Sequence, residues 1–200
     1  MELLEHHYPS VQASALRIVG NIATGNEEQI QTLISCGLVP KLRTLCGHPK
    51  KSIKKESIWT ISNLTAGRPI DIQAVIDANI FTLLIQELIN QEFDVQKEIL
   101  WALSNALSGG TDDQIQYLIS QGVIQPICDK LRVWDKKATG VGVALTGLES
   151  ILKIGARSNT LNQLKQRIED VGGLDLLKTL IDHQDQQISE TSRTILNKYF

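Results

Sequence analysis

Apolar residues recur at three- and four-residue spacing along most of this chain, and we find no convincing alternation of apolar and polar residues. Leu38, Leu42 and Leu45 form one such set, and Ile30 and Ile34 belong to another. This spacing places apolar side chains on one face of an α-helix, whereas a half-buried strand would alternate with a period of two. The pattern therefore predicts an all-α protein.

The helical segments repeat with a period of about 42 residues. Asn21, Asn63 and Asn105 are 42 residues apart, and each is followed within five residues by small residues and a glycine. The three segments read ALRIVGNIATG, SIWTISNLTAG and ILWALSNALSGG. A second repeated segment follows the first, and its matching glutamines are Gln31, Gln73 and Gln116. A period of this length is typical of helical solenoids of the armadillo and HEAT type.

Each repeat is predicted to contain a short, a medium and a long helix. One turn position within the repeat holds glycine or asparagine in four copies: Gly37, Asn79, Gly122 and Gly172. Pro40 and Pro126 fit the first turn of the helix that follows this position. Neighbouring repeats must stack to bury their apolar faces, so we expect an all-α, armadillo-repeat, right-handed superhelical solenoid.

The predicted domain organisation is a single armadillo-repeat array over residues 1–200. Its divisions are a partial repeat at about 1–25, repeats at 26–67 and 68–110, a repeat with a divergent third helix at 111–157, and a C-terminal repeat at 158–200. Because the first segment begins in the middle of a repeat, we expect further repeats upstream.

Composition excludes some classes of function. The 200 residues carry a net charge of −2, which gives no electrostatic case for direct nucleic-acid binding. No apolar run approaches the roughly 18–20 residues of a membrane span, so no membrane association is expected. The three cysteines, Cys36, Cys46 and Cys128, are far apart in sequence, and we expect reduced thiols packed in the core.

No motif predicts catalysis. The four histidines form no metal-ligand spacing, and the chain has no H-E-x-x-H, G-x-S-x-G, G-x-G-x-x-G or P-loop segment. We therefore expect a protein that is not an enzyme and that needs neither a metal ion nor a cofactor.

Two of the three tryptophans occupy the same place in consecutive repeats. Trp59 precedes Asn63 by four residues, and Trp101 precedes Asn105 by four residues. Residues four apart lie almost above one another on a helix, about 6 Å along its axis. We call Trp59 and Trp101 the tryptophan row, and Asn21, Asn63 and Asn105 the asparagine row. Both rows lie beside the expected core stripe.

Two interpretations of these rows remain open. In the first, the tryptophans fill the core and the asparagines bridge helices. In the second, the rows line an open surface that binds an extended peptide, because a side-chain amide can donate to and accept from a peptide backbone. Indole faces would then hold a cationic Lys or Arg side chain.

Two glutamates extend the second interpretation. Glu56 and Glu98 each lie three residues before a tryptophan, on nearly the same helix face, where they would meet the cationic head. The alternative is an ordinary surface pair with Lys54, Lys55 or Lys97.

The segments KKESIWTISNLTAG and QKEILWALSNALSGG resemble importin alpha, the armadillo-repeat adaptor that carries nuclear localisation signals. The resemblance covers nearly the whole chain and matches the C-terminal half of that family's repeat domain. It implies that indoles flank Lys or Arg side chains of a signal peptide at the minor signal-binding site, while asparagines hold the peptide backbone. The implied peptide-binding residues are Trp59, Asn63, Trp101, Asn105, Asn21, Arg17, Glu56 and Glu98. Arg17 stands where the tryptophan before Asn21 would be.

The resemblance also implies partners and a location. The expected partners are Lys/Arg-rich nuclear localisation signals of cargo proteins, importin beta through an N-terminal segment absent from this sequence, and a recycling exportin at the C-terminal repeats. A protein of this kind is expected to shuttle between cytoplasm and nucleus.

Later repeats depart from the pattern. Thr146 and Ser150 take the tryptophan and asparagine places in the next long helix, and Arg193 and Asn197 take them in the last. Trp134 lies outside the tryptophan row and is expected to be a loop or packing residue.

Another class of function remains open. A catenin-like armadillo scaffold would gather acidic or amphipathic protein partners and would have a basic groove, whereas a signal-binding groove would be acidic. A third possibility is that this half serves mainly as the exportin-docking end.

Overall fold

The structure is a computed structural model that describes residues 1–133 and 138–200. Within these residues the regular secondary structure is helical, with no strand, which confirms the all-α prediction. The chain forms two compact units, Met1–Gln114 and Ile115–Phe200. Trp134, expected in a loop or in packing, lies outside the described residues.

The first unit contains a short 3₁₀ helix and the helices up to the start of α8. Their bounds are Glu2–Glu5 for the 3₁₀ helix, then α1 Pro9–Ile22, α2 Glu27–Ser35, α3 Leu38–Cys46, α4 Lys51–Thr65, α5 Pro69–Asp77, α6 Ile80–Asn90 and α7 Phe93–Gly109. The long third helix is as predicted, since α4 and α7 have 15 and 17 residues while α2, α3, α5 and α6 have 9 to 11. The predicted difference between a short and a medium helix is present for α5 and α6, with 9 and 11 residues, but not for α2 and α3, which both have 9.

The second unit continues the same order of helices. The boundary between the two units lies within α8, which spans Asp112–Ser120. The remaining helices are α9 Ile124–Val133, α10 Ala138–Arg157, α11 Leu161–Asp170, α12 Gly173–Leu180 and α13 Gln186–Tyr199.

The long helices of the first unit pack side by side, α1 against α4 and α4 against α7. Ile58, Ile61 and Leu64 of α4 are no more than 1% exposed, as the apolar spacing predicts. The corresponding stripe of α7 is also buried, at Leu100, Leu103 and Ala106. This packing leaves the neighbouring helix face, which carries the tryptophan and asparagine rows, at the edge of the core.

The repeated turn position has a backbone conformation that explains its composition. Gly37, Gly122 and Gly172 have φ of 80°, 84° and 76°, and Asn79 has φ of 54°. Side chains with a Cβ are strained in this left-handed region, and asparagine tolerates it better than most residues. The turn joins the first two helices of a repeat, and at Asn79 the two helices meet at 78°.

The repeated glutamines connect consecutive repeats. Gln31 Nε2 donates to Asp71 Oδ1 at 2.5 Å, and Gln73 Oε1 accepts from Gln114 Nε2 at 2.9 Å. Gln116 Nε2 donates to a serine hydroxyl of the second unit, Ser158 Oγ, at 3.4 Å. Each glutamine therefore reaches the start of the first helix in the following repeat or the turn before it, which gives a structural reason for its periodicity.

The cysteines are only partly as predicted. Cys46 and Cys128 are buried, and burial raises the pKa of each thiol to about 12. Cys36 is exposed, so the expectation of a packed thiol is wrong there. It directly follows α2, at the C-cap position of that helix.

In the described part of the chain, no single helix has the length and apolarity needed to cross a bilayer. Only α5 and α6 taken together reach that length and composition, and they meet at a bend of 78°.

Candidate functional site

The tryptophan row lies at the surface of the first unit rather than inside it. Trp101 on α7 is 37% exposed, and Trp59 on α4 is half-buried. Both indoles are thus accessible along part of their surface. The interpretation that the tryptophans simply fill the core does not describe Trp101, because more than a third of its surface is exposed.

Trp59 lies close against the backbone of the preceding long helix. A Cβ placed on Gly20 would overlap the Trp59 ring and come within 2.9 Å of Thr60 Oγ1. Glycine at this position therefore lets α1 and α4 approach closely and lets the indole lie along α1. The corresponding positions one and two repeats later hold Ser62 and Ser104, which are also small.

Two members of the asparagine row bridge consecutive long helices. Asn63 Nδ2 donates to the backbone carbonyl of Gly20 at 3.1 Å, and Asn105 Nδ2 donates to that of Ser62 at 3.0 Å. The helix-bridging interpretation is therefore correct for one N–H of each amide. Among the described residues, no group accepts from the second N–H or donates to Oδ1. Asn21 is exposed, and its side chain has no hydrogen bond there.

Arg17 occupies the surface beside Trp59. Its Nη2 lies 2.6 Å from Glu56 Oε1, and its guanidinium carbon lies 5.4 Å from the centre of the Trp59 ring. The expected alternative partners of Glu56, Lys54 and Lys55, do not pair with it; Lys54 pairs with Glu87 on α6 instead. The Arg17 guanidinium thus lies beside Glu56 and Trp59, where the sequence predicted a Lys or Arg side chain of a bound peptide.

Glu98 has the same register in the next repeat but a different environment. It is half-buried, and within residues 1–133 and 138–200 no Lys or Arg nitrogen lies within 4.0 Å of its carboxylate. Burial raises the pKa of Glu98 above its ordinary 4.5, and the nearby Lys55 and Lys97 partly oppose this shift. A cation brought beside Trp101 would meet a carboxylate that lacks a close partner.

The charges along the tryptophan row are mixed. Glu56 is balanced by Arg17, and Glu98 lies in the field of two lysines. Local charge therefore does not separate a signal-binding groove, expected to be acidic, from a scaffold with a basic groove. The carboxylates of Glu56 and Glu98 differ instead in their partners: Glu56 forms an ion pair with Arg17, whereas Glu98 forms none with the described residues.

A pocket of about 630 Å³ opens beside Asn63, where the turns after α1 and α4 come together. Small residues line its walls, among them Ala23, Gly25 and Gly67. Its polar side includes Arg68, which lies 2.8 Å from Glu27. The middle member of the asparagine row therefore borders an open depression in the surface of the first unit.

The second unit does not continue the two rows. Thr146 Oγ1 donates to Gly142 O at 3.0 Å, and Ser150 Oγ donates to Thr146 O at the same distance, so both hydroxyls bond within α10. Arg193 and Asn197 on α13 are exposed. Thr146 and Ser150 thus offer neither an indole nor an amide at the two places.

The helical repeats and their asparagine bridges define an armadillo-repeat protein. The family model described as Armadillo/beta-catenin-like repeat matches residues 26–66 and 69–108, and the one described as Atypical Arm repeat matches residues 162–200. The chain belongs to the armadillo-repeat family.

Within that family the chain is similar to importin alpha subunits over its whole length. Importin subunit alpha-1b of Oryza sativa subsp. japonica is 47% identical, covering 100% of this chain and 38% of the relative. Importin subunit alpha-3 of Arabidopsis thaliana is 44% identical, covering 100% and 39%. The predicted resemblance to importin alpha is confirmed, and the chain spans less than two fifths of the length of these relatives.

Solved structures confirm the solenoid class. A designed armadillo repeat protein in complex with the peptide (KR)4 superposes with a TM-score of 0.86 at 28% identity, covering 100% of this chain and 80% of that one. A computationally designed armadillo repeat protein for modular peptide recognition gives 0.88 at 27% identity, with the same coverage.

Proposed function

We propose that this chain is the cargo-recognising part of a nuclear import adaptor, binding Lys/Arg-rich nuclear localisation signals in extended conformation at a minor signal-binding site. The peptide-binding residues are those of the two rows and their two glutamates. The single observation that carries the proposal is the exposed Trp101 next to the unpaired, half-buried carboxylate of Glu98.

The geometry supports a cationic side chain at this place. Trp101 offers an indole face, and Glu98 precedes it by three residues on the same helix. A cation over an indole contributes about 0.5–1 kcal/mol at exposed sites and about 2 kcal/mol when desolvated. A carboxylate held partly out of water gains more from an incoming cation than a fully exposed one does, because less solvent screens the pair.

The asparagine row supports an extended backbone. Asn63 and Asn105 each keep one N–H and Oδ1 without a partner in the described chain, while the bond to the preceding helix fixes the amide orientation. A peptide carbonyl and a peptide N–H can then be met by the same side chain, without regard to the peptide's sequence. Preorganised groups lose little freedom on binding.

The size of the site limits its affinity. One open cation position and two bridging amides supply few contacts. We therefore expect a dissociation constant in the micromolar range, which corresponds to a binding free energy of about −8 kcal/mol. The contribution of charge should weaken with added salt.

Titration of a (Lys-Arg)4 peptide tests the proposal. Trp101→Ala should weaken binding by about 10-fold or more, in keeping with a cation–π contact of 1–2 kcal/mol. Ile89→Ala is the matched control, since Ile89 is an exposed apolar residue outside both rows. An affinity that Trp101→Ala leaves unchanged would remove the proposal.

The same titration separates the scaffold alternative. A groove for acidic or amphipathic partners would bind an acidic helical peptide better than the (Lys-Arg)4 peptide. Trp101→Ala would then weaken the binding of neither peptide. The names of the similar proteins, importin subunit alpha and a designed protein complexed with (KR)4, favour the cationic ligand.

Wider roles follow from the same proposal. Importin beta recognition through an N-terminal segment, exportin recognition at the C-terminal repeats, and shuttling between cytoplasm and nucleus stay predictions for this chain. Binding of the (Lys-Arg)4 peptide does not require catalysis, a metal ion or a cofactor.

A further inference from the structure

Arg17 and Glu56 form a contact that places a cation of the chain itself on one of the two proposed peptide-binding glutamates. The Arg17 side chain is 61% exposed and reaches from α1 to α4, where it pairs with Glu56, whose side chain is 18% exposed. Its guanidinium also lies 5.4 Å from the centre of the Trp59 ring. An exposed arm is thus laid over a carboxylate and an indole, the two groups that a cationic ligand side chain requires.

Glu56 and Trp59 occupy the same positions in their repeat as the pair that the proposed function assigns to a peptide cation. Glu56 and Trp59 precede Glu98 and Trp101 by 42 residues, so the two pairs have one register. Arg17 precedes Trp59 by the same 42 residues. Where a third tryptophan would complete a slot with Trp59, the chain carries an arginine, and this arginine is paired with the glutamate of that slot.

We propose that Arg17 is a built-in occupant of a second cation site, formed by the Glu56 carboxylate and the face of Trp59, which would otherwise take a Lys or Arg side chain of the bound peptide. This rests on the proposed function for the class of ligand. Arg17 is accordingly a specificity-determining residue, because it limits the number of Lys and Arg side chains of the peptide that add to the binding free energy.

The energetic consequence is a near-neutral exchange. Because the Arg17 side chain is 61% exposed, solvent screens its pairing with Glu56, and an incoming cation can displace the arm at small cost. The incoming cation then makes contacts equivalent to those that are lost, and the net gain is close to zero. Removal of the arm should also uncover Glu56 Oε2, which is buried and has no hydrogen-bond partner among the described residues.

Titration of a (Lys-Arg)4 peptide against an Arg17→Ala variant tests this inference. We expect the variant to bind about 3- to 10-fold more tightly than the unaltered chain, the range of one exposed cation–π and ion-pair contact. Adding Glu56→Gln to Arg17→Ala should abolish the gain. Arg43→Ala is the control for net charge, because Arg43 is an exposed arginine on α3 with no part in either row.

Each outcome bears on one of the two proposals. If the unaltered chain binds the peptide and Arg17→Ala binds no better than Arg43→Ala, Arg17 is not an occupant and only this inference is overturned. If the unaltered chain fails to bind and Arg17→Ala binds, the inference stands and the proposed function of the unaltered chain falls. If the peptide binds neither the unaltered chain nor Arg17→Ala, the proposed function and this inference are both overturned. Urea unfolding should show that Arg17→Ala remains folded, as expected for an exposed side chain.

Discussion

Asn63 donates its amide hydrogen to the backbone carbonyl of Gly20, 3.1 Å away on the preceding long helix, and Asn105 repeats this bond to Ser62 at 3.0 Å. A row that sequence reasoning assigned to a ligand therefore also joins the repeats. Changes in the asparagine row should affect folding stability as well as peptide binding, and the two effects can be measured separately.

Asn63→Asp should destabilise the protein by about 1–3 kcal/mol, because a carboxylate cannot donate and would face the Gly20 carbonyl oxygen unpaired. Asn21→Asp is the matched control: the Asn21 side chain is exposed and makes no hydrogen bond to the described residues, so its change should stay within about 0.5 kcal/mol. Urea unfolding at neutral pH measures both. Equal effects of the two substitutions would mean that the bridge is not formed in solution.

Gly20→Ala should cost about 1–3 kcal/mol, the usual range for an added methyl group in a packed contact, because the new Cβ overlaps the Trp59 ring. Tryptophan fluorescence should change as the indole moves. Gly142→Ala provides the comparison, since a Cβ there meets no atom within 4 Å. A helical glycine with open space should become more stable by up to about 1 kcal/mol on this change. If Gly20→Ala left the free energy of unfolding unchanged, the close approach of α1 and α4 would be contradicted.

Binding of a cationic peptide should strengthen as pH rises through the pKa of Glu98. Burial raises the pKa of the Glu98 carboxyl above its ordinary value, while a bound cation favours the ionised form. Affinity should then increase with pH and level off once Glu98 is ionised in the free protein. Calorimetry across this range should detect proton release, and Glu98→Gln should remove the pH-dependent part.

The same shift predicts an effect on stability. A carboxyl whose pKa is raised by folding adds stability below its unfolded pKa and loses it as pH rises through the folded value. Glu98→Gln should therefore make the protein more stable at neutral pH than the unaltered chain, with little difference at acidic pH. Thermal unfolding at two pH values would reveal this, and a loss of stability at neutral pH would contradict the origin of the shift in burial.

Asn79→Ala should destabilise the protein more than Asn79→Gly. Asn79 adopts a φ of 54°, and its Oδ1 accepts from Thr82 Oγ1 at 2.8 Å. Both variants lose this bond, but glycine relieves the backbone strain whereas alanine keeps it, a difference of about 1 kcal/mol. If the alanine variant were as stable as the glycine variant, the left-handed turn would not be present.

The sequence allowed the helix order, the core stripe and the repeated turn to be predicted, because each depends on local spacing or on one backbone conformation. Gly37 and Asn79 share a position for the same steric reason. The repeated Gln31 and Gln73 were visible as a period, but their partners were not, since those lie about 40 residues away in the next repeat.

The details of the site depended on contacts that spacing does not reveal. Arg17 and Glu56 are 39 residues apart, so the usual search for partners three or four residues away could not find this pair. The direction of each amide was equally hidden, although one signal existed: a small residue, Gly20 or Ser62, stands immediately before an asparagine of the row. That smallness allows the carbonyl to be reached from the next helix.

The two asparagine bridges have a mechanical consequence. Ser62, whose carbonyl receives the bond from α7, is the direct neighbour of Asn63, which passes the next bond to α1. A displacement of the Asn105 amide would therefore reach the Asn63 bridge through the single peptide unit that joins Ser62 and Asn63. The two bonds thus tie α1, α4 and α7 together in series and fix the distances between their backbones at successive repeats.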